Sequence, residues 1–112
     1  MKKFAMLVAA VMTTATLSAQ TSTKKDVLET ARSANNYFMA KYADPTVPTN
    51  VKRIRPSSLW TRAVYYEGLM ALNTIDPQKR YIDYTDRWAS FHKWTPRNGT
   101  KTRDADDQCC SQ

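Results

Sequence analysis

From Val27 onward, apolar residues recur at three- and four-residue steps. Val27, Leu28, Ala31, Ala34, Phe38 and Tyr42 form one stripe, with Lys24, Glu29, Arg32 and Lys41 mostly off it. That spacing predicts an amphipathic first helix. Thr23 and Asp26 resemble a capping box, with Asp in place of the usual Glu. Asp44-Pro45 ends the helix, because a proline disfavours helical backbone in the residue before it. A loop from Pro45 to Pro56 follows. Ser57 and Ser58 offer caps for a second helix, roughly Leu59 to Asn73. Here Trp60, Ala63, Val64, Tyr65, Tyr66, Leu69, Met70 and Leu72 cover more than one face, which predicts burial on most sides. Gly68 in its interior costs about 1 kcal/mol relative to Ala and predicts close packing against a neighbour. Asp76-Pro77 opens a third helix, Asp as N-cap and Pro at the first helical position. Tyr81, Ile82, Tyr84, Trp88, Phe91 and Trp94 make its stripe, Thr95-Pro96 ends it, and Arg97-Asn98-Gly99 is a turn. A fourth helix begins near Asp104, with Asp104 or Asp106 as N-cap. No segment shows the alternation of a strand.

Half-exposed and more interior helices thus alternate. The expected fold class is all-α: two helical hairpins, each pairing an outer with an inner helix. Two hairpins cannot cover two buried helices, so the pattern calls for more of them, in a solenoid or a closed toroid. The fourth helix carries three of the ten acidic residues within four positions, and Gln112 follows before its apolar residues have accumulated. The 112 residues are therefore expected to be the N-terminal portion of a larger domain, marginally folded and inactive by themselves.

Residues 1–19 read differently. Met1-Lys2-Lys3 is a basic start, Phe4 to Ala15 is apolar and small, and Leu17-Ser18-Ala19 supplies the small residue before a cleavage point. This predicts a signal peptide at 1–19, a mature domain at 20–112 and an exported protein, periplasmic or secreted. The apolar run is too short for a bilayer span, so no membrane partner is expected. Without Lys2 and Lys3, fifteen basic residues face ten acidic ones, a charge of about +5. Nucleic acid is not an expected partner, since an exported chain would not meet it and the acidic end repels phosphate. The densest basic group, Lys52-Arg53-Ile54-Arg55, suits an anionic ligand such as a uronic acid, or is a solvated loop. Cys109 and Cys110 are adjacent, where a bridge would strain the peptide, so two reduced thiols are expected, at least one packed as a small hydrophobe. His92 is the single histidine, and with adjacent cysteines it gives no zinc-like ligand spacing, so neither metal nor cofactor is expected.

In a toroid the inner helices run parallel and their N-termini gather at one mouth. Trp60 opens the second helix, and Asp106 and Asp107 open the fourth. An indole face stacks on a sugar ring, and a carboxylic acid transfers a proton. The alternatives are plain: Trp60 as core, and the aspartates as helix caps.

Ser58-Leu59-Trp60-Thr61, the aromatic helix containing Gly68, Trp88 with Trp94, and above all Ala105-Asp106-Asp107-Gln108-Cys109 resemble the N-terminal part of unsaturated glucuronyl and rhamnogalacturonyl hydrolases. These are glycoside hydrolase families 88 and 105, and the resemblance spans Lys25 to Gln112. It implies an (α/α)6 barrel, of which this chain is an incomplete toroid. It also implies removal of unsaturated uronic acid from the non-reducing end of lyase-generated oligosaccharides of the pectin or rhamnogalacturonan type, by hydration of the vinyl ether. By position, Asp106 matches the aspartate of the first active-site helix, with Asp107 the alternative one residue on. Trp60 matches the aromatic residue lining the sugar site. The family's principal acid/base aspartate lies on a later helix, beyond these residues. Ser111 stands where the family pattern has glycine.

Two other readings stand beside this one: a small secreted helical binding module, and another α/α-toroid glycosidase or lyase on the same scaffold. The leader can be checked directly. Mass spectrometry of the exported protein should find Gln20 or a neighbour at the mature N-terminus; an intact Met1 on soluble cytoplasmic protein would refute export.

Overall fold

A computed structural model describes residues 21–111. The expected leader at 1–19 lies outside the described residues. Among these, the order is α1 (Lys24–Lys41), β1 (Thr49–Val51), β2 (Arg53–Arg55), α2 (Trp60–Ile75), α3 (Lys79–Phe91) and α4 (Ala105–Gln108), which closes in a 3₁₀ turn over Cys109–Ser111. The fold is all-α apart from one small hairpin.

The start of α1 follows local chemistry. Asp26 N–H donates to Thr23 Oγ1 at 3.1 Å, and Thr23 N–H donates to Asp26 Oδ2 at 2.9 Å, completing the capping box. Leu28, Ala31, Phe38 and Met39 pack on the core, whereas Val27 stands exposed. The one buried residue of α1 is polar, Asn35, which accepts from the Tyr65 hydroxyl at 2.6 Å.

Side-chain pairs give the helix directions. Arg32 meets Asp76, Phe38 stacks on Tyr65 and Arg62 sits over Tyr42, so α2 runs antiparallel to α1. Tyr66 stacks on Trp88, centroids 4.1 Å apart, and also meets Tyr84. Arg80 reaches Asn36, Tyr84 donates to the Tyr42 carbonyl and Arg87 pairs with Asp44, so α3 runs parallel to α1. The core lies between: Ala63, Tyr66, Leu69 and Leu72 of α2 against Tyr81, Tyr84, Trp88 and Ala89 of α3, with Cys110 at its edge. Aromatic faces dominate it, because each ring removes a large apolar area from water.

Five local expectations are corrected. Asp76 is not the N-cap of α3; it closes α2, and α3 starts from Gln78 with no side-chain cap. Its carboxylate is claimed by Arg32 Nε at 2.8 Å and Nη2 at 2.6 Å, and by Gln78 at 2.7 Å. Ser57 and Ser58 do not cap α2, whose N-cap is Leu59. Ser57 Oγ instead donates to the Thr46 carbonyl at 2.9 Å, and its own carbonyl accepts from the Trp88 indole at 2.8 Å. The loop before α2 contains the antiparallel hairpin β1–β2, with Val51 opposite Arg53 and Lys52 in left-handed backbone at φ 58. Gly68 is not in close contact: a Cβ there would meet nothing within 4 Å. The second helix is likewise buried on one side, with Trp60, Val64 and Met70 exposed.

Arg62 is the least conventional core residue, 6% exposed and with no carboxylate partner among the described residues. It lies 4.5 Å from the Tyr42 ring centroid and donates to Thr49 Oγ1 at 2.7 Å and to the Pro45 carbonyl. Cation–π contact and neutral acceptors replace a counter-ion, and they tie the hairpin to α2. Close by, Ser57 Oγ lies 2.8 Å from His92 Nε2. The Ser57 proton is committed to Thr46, so Nε2 carries the hydrogen. Burial, with Arg62 adding, holds the His92 pKa below its ordinary value.

The Arg32 guanidinium, helped by Gln78, depresses the Asp76 carboxyl from 3.8 to about 2 against the opposing effect of burial. A depressed carboxylate stabilises the fold fully above its unfolded pKa and loses that contribution as pH falls through the folded value. Denaturant midpoints should therefore drop between about pH 4 and pH 2, and Asp76→Asn should flatten part of that slope. Parallel curves for the two proteins would sink this account.

Candidate active site

The segment after α3 is built to deliver a short helix back to the start of α2. Lys93 and Trp94 both adopt left-handed backbone, φ 57 and φ 52, which ends α3 abruptly. The turn at Arg97-Asn98-Gly99 follows, with Gly99 at φ 84 and its N–H on the Pro96 carbonyl. The Cβ-free residue occupies the position that needs positive φ.

Asp107 holds this loop shut. It is 3% exposed. Oδ1 accepts from Arg97 Nε at 2.8 Å and pairs with Nη2 at 2.7 Å. Oδ2 accepts from Asn98 Nδ2 at 2.6 Å and Thr102 Oγ1 at 3.0 Å, and the Asp107 carbonyl takes the Arg97 N–H at 2.9 Å. Arg97, then Asn98 and Thr102, hold its carboxyl below the usual range despite burial. Both oxygens are thereby committed, and the group stays ionised.

Asp104 is the N-cap of α4, accepting from the Asp106 N–H at 3.0 Å. Asp106 is exposed and its carboxylate makes no hydrogen bond or ion pair among the described residues. It lines a cleft of about 360 Å³ with Trp60, Thr61, Leu59, Arg53, Arg55 and Arg97. Trp60 is 45% exposed, with its apolar surface available rather than sunk in the core. Asp106 sits beside Trp60, and Cys109 lies farther along α2 near Ala63 and Tyr66, so α4 runs parallel to α2. The two inner helices thus open at one end. The Cys110 thiol is free and buried; burial, with Cys109 beside it, pushes its pKa up to about 11. It packs as a small hydrophobe.

Three arginines were not singled out as lining residues from the sequence. Arg53 and Arg55 stood out only as part of a basic group. Arg53, Ile54 and Arg55 all reach the cleft, which the whole second strand borders. Arg97 reaches the cleft because Asp107 pulls its turn inward. A roomier groove of about 450 Å³ lies between α2 and α3, lined by Val64, Met70, Ile82, Trp88 and Trp94. It contains none of Trp60, Asp106 or Asp107; its lining is mostly apolar, with Glu67 and Asp86 at it as well.

Residues 30–112 match the family model described as Glycosyl Hydrolase Family 88. The chain belongs to glycosyl hydrolase family 88. Of the two families its residues resemble, the match is to this one, and it spans everything from the middle of α1 through the Asp106 segment. The family fold is an α/α toroid, and the α1–α2 and α3–α4 pairs are two of its hairpins. Glycosyl hydrolysis within the unsaturated glucuronyl hydrolase family, on a carbohydrate substrate, follows from membership. No curated protein and no solved structure matches the chain. Among the described residues no helix is long and apolar enough to cross a membrane, and no group of three or more His, Cys, Asp and Glu side chains gathers as metal ligands.

The neighbouring aspartates should respond differently to the same change. Asp107→Asn removes the charge facing Arg97, and we expect a lower denaturation midpoint and faster proteolysis between Arg97 and Asp104. Asp106→Asn should leave both as they are. Equal destabilisation by the two would make Asp106 a structural residue as well.

Proposed function

We propose that Asp106 and Trp60 serve the removal of unsaturated uronic acid from the non-reducing end of lyase-generated oligosaccharides, of the pectin or rhamnogalacturonan type. The carrying observation is that the one uncommitted carboxylate of the Asp106-Asp107 pair shares a cleft with an exposed indole. Trp60 offers its face to the sugar ring. The arginines around it give the cleft a cationic lining that complements a uronate. The chemistry is hydration: a proton adds to one carbon of the ring double bond and water to the other. The resulting hemiketal opens and releases the neighbouring sugar, consuming one water. Asp106 positions that water or shares the proton with a second carboxylic acid, which the family resemblance puts on a later helix and which makes the main transfer. The occupied oxygens of Asp107 favour Asp106 for that role, with Asp107 the alternative one residue on.

In the enzyme carrying this chain, Asp106→Asn should lower kcat on an unsaturated disaccharide by about two decades or more while folding stays near normal. The amide keeps the size of the side chain and removes the titratable group. Wild-type rates in that variant would return Asp106 to a surface role. Turnover of saturated rather than unsaturated uronides would favour another toroid glycosidase.

A further inference from the structure

His92 is the single histidine of the chain, and the proposed chemistry makes no use of it. It closes α3 where both walls of the Trp60–Asp106 cleft are rooted. On one side stands Ser57, which is buried. Its neighbour Pro56 lines the cleft, and so does Leu59, the N-cap of α2. Ser57 thus lies at the junction where the β1–β2 hairpin passes into α2. Three bonds hold that junction. Ser57 Oγ donates to the Thr46 carbonyl at 2.9 Å and accepts from His92 Nε2 at 2.8 Å, and its carbonyl takes the Trp88 indole at 2.8 Å. On the other side the His92 carbonyl accepts from the Thr95 N–H at 3.2 Å and the Thr95 hydroxyl at 2.8 Å. Thr95 heads the segment that carries Arg97 to the cleft.

The charges around His92 are mostly positive. From α2 comes the buried Arg62, near enough for its charge to act on the ring. The loop between α1 and α2 brings Asp44, Lys52, Arg53 and Arg55, α3 and its end bring Arg87 and Lys93, and the next turn brings Arg97. The carboxylates of these elements are engaged elsewhere. Asp44 is taken by Arg87 at 3.0 Å and by the Thr46 hydroxyl at 2.7 Å, Asp83 by Lys79, and Arg97 by Asp107. Glu67 and Asp86 border the α2–α3 groove, which His92 does not line. A neutral imidazole suits this place, its Nε2–H on Ser57 and a lone pair on Nδ1. A proton on Nδ1 would set a second positive charge beside Arg62. That guanidinium is the hairpin's other anchor, through Thr49 and Pro45. Like charges in a partly buried place repel, and exposure of the imidazolium to water relieves them.

We propose that His92 is a pH-sensitive latch for one wall of the cleft: its neutral ring holds the Ser57 junction and the hairpin against α2, and its protonation releases them. The sign follows from burial, which keeps the His92 pKa below its ordinary value in the closed arrangement. Release therefore takes up a proton. The latch is at full strength above about pH 6.5 and weakens as pH falls from there toward the folded pKa. This holds whether or not the cleft turns over uronides.

Nuclear magnetic resonance on the enzyme that carries this chain tests it. The imidazole Cε1–H signal that vanishes in His92→Gln belongs to His92, and its midpoint should lie below about 6.5. Amide exchange, corrected for the intrinsic rate at each pH, should show β1–β2 protection falling between about pH 6.5 and that midpoint. The fall should be about tenfold for each unit of pH between the two. Amides of Leu69 and Tyr84, inside α2 and α3, should keep their protection. His92→Gln retains an N–H donor for Ser57 without a titrating group, so its hairpin should stay protected throughout. Level hairpin protection in the wild type would overturn the proposal, and so would a His92 midpoint at or above about 6.5. A loss that persists in His92→Gln assigns the effect to another group, and a loss shared by Leu69 and Tyr84 makes it global; either result also overturns it. If thermal melts show that His92→Gln does not fold, the aromatic signal coupled to the Ser57 junction identifies His92 in the wild type. A fall in hairpin protection outside the interval between its midpoint and about pH 6.5 then rejects the latch, and a fall within it supports the latch.

Discussion

Everything at the candidate site depends on one buried carboxylate. Asp107 gathers Arg97, Asn98 and Thr102 on its two oxygens and closes a loop that would otherwise lead away from α2. Adjacent residues on a helix point about 100° apart. If Asp107 faces the loop, Asp106 must face elsewhere, and here it faces the cleft beside Trp60. The same clamp draws Arg97 to the cleft wall. One residue of the pair is thus spent on position and leaves its neighbour free for chemistry. An exposed carboxylate on so short a helix would otherwise have no fixed place.

The second constraint is the run of aromatic contacts that sets the helix directions. Phe38 on Tyr65, and Tyr66 on Trp88, lock α1 and α3 side by side against α2. Three polar ends are used too: Tyr65 reaches Asn35, Tyr84 reaches the Tyr42 carbonyl and Trp88 reaches Ser57, whereas the buried Tyr66 hydroxyl has no partner among the described residues. Each bond fixes a loop or a helix against its neighbour at a point where packing alone would allow sliding. The loop between α1 and α2 is tied this way at both ends, by Arg62 to Thr49 and Pro45 and by Ser57 to Thr46. Those ties hold the hairpin, and hence its arginines, at the cleft.

Periodicity was a good guide where the structure is governed by faces. It marked the helices and the opening that Trp60 and Asp106 share, but overstated the burial of α2. It failed where a long-range partner outbid a local rule. Asp76-Pro77 has the form of a helix start, but Arg32, 44 residues earlier, takes the carboxylate. Ser57 has the form of a cap, but Thr46 and Trp88 take its two polar groups. The hairpin was illegible because strands of three residues are too short to alternate visibly. Asn35 and Arg62 broke the apolar pattern because their partners are a tyrosine hydroxyl and an aromatic face, which no spacing along the chain reveals.

The uncovered side of α2 is the remaining tension between pattern and structure. Val64, Gly68 and Met70 are apolar or small, yet they face open space and the groove beside Trp94. A glycine in a helix interior weakens it, and a bare apolar face gains nothing from water. Both features make physical sense once an inner helix has neighbours on each side, as in the α/α toroid to which the family belongs. The candidate cleft does not share this dependence. Its floor and walls come from α2, the β1–β2 hairpin and the Asp107-clamped loop, all internally tied, so the mouth is shaped by different residues from those that close the barrel.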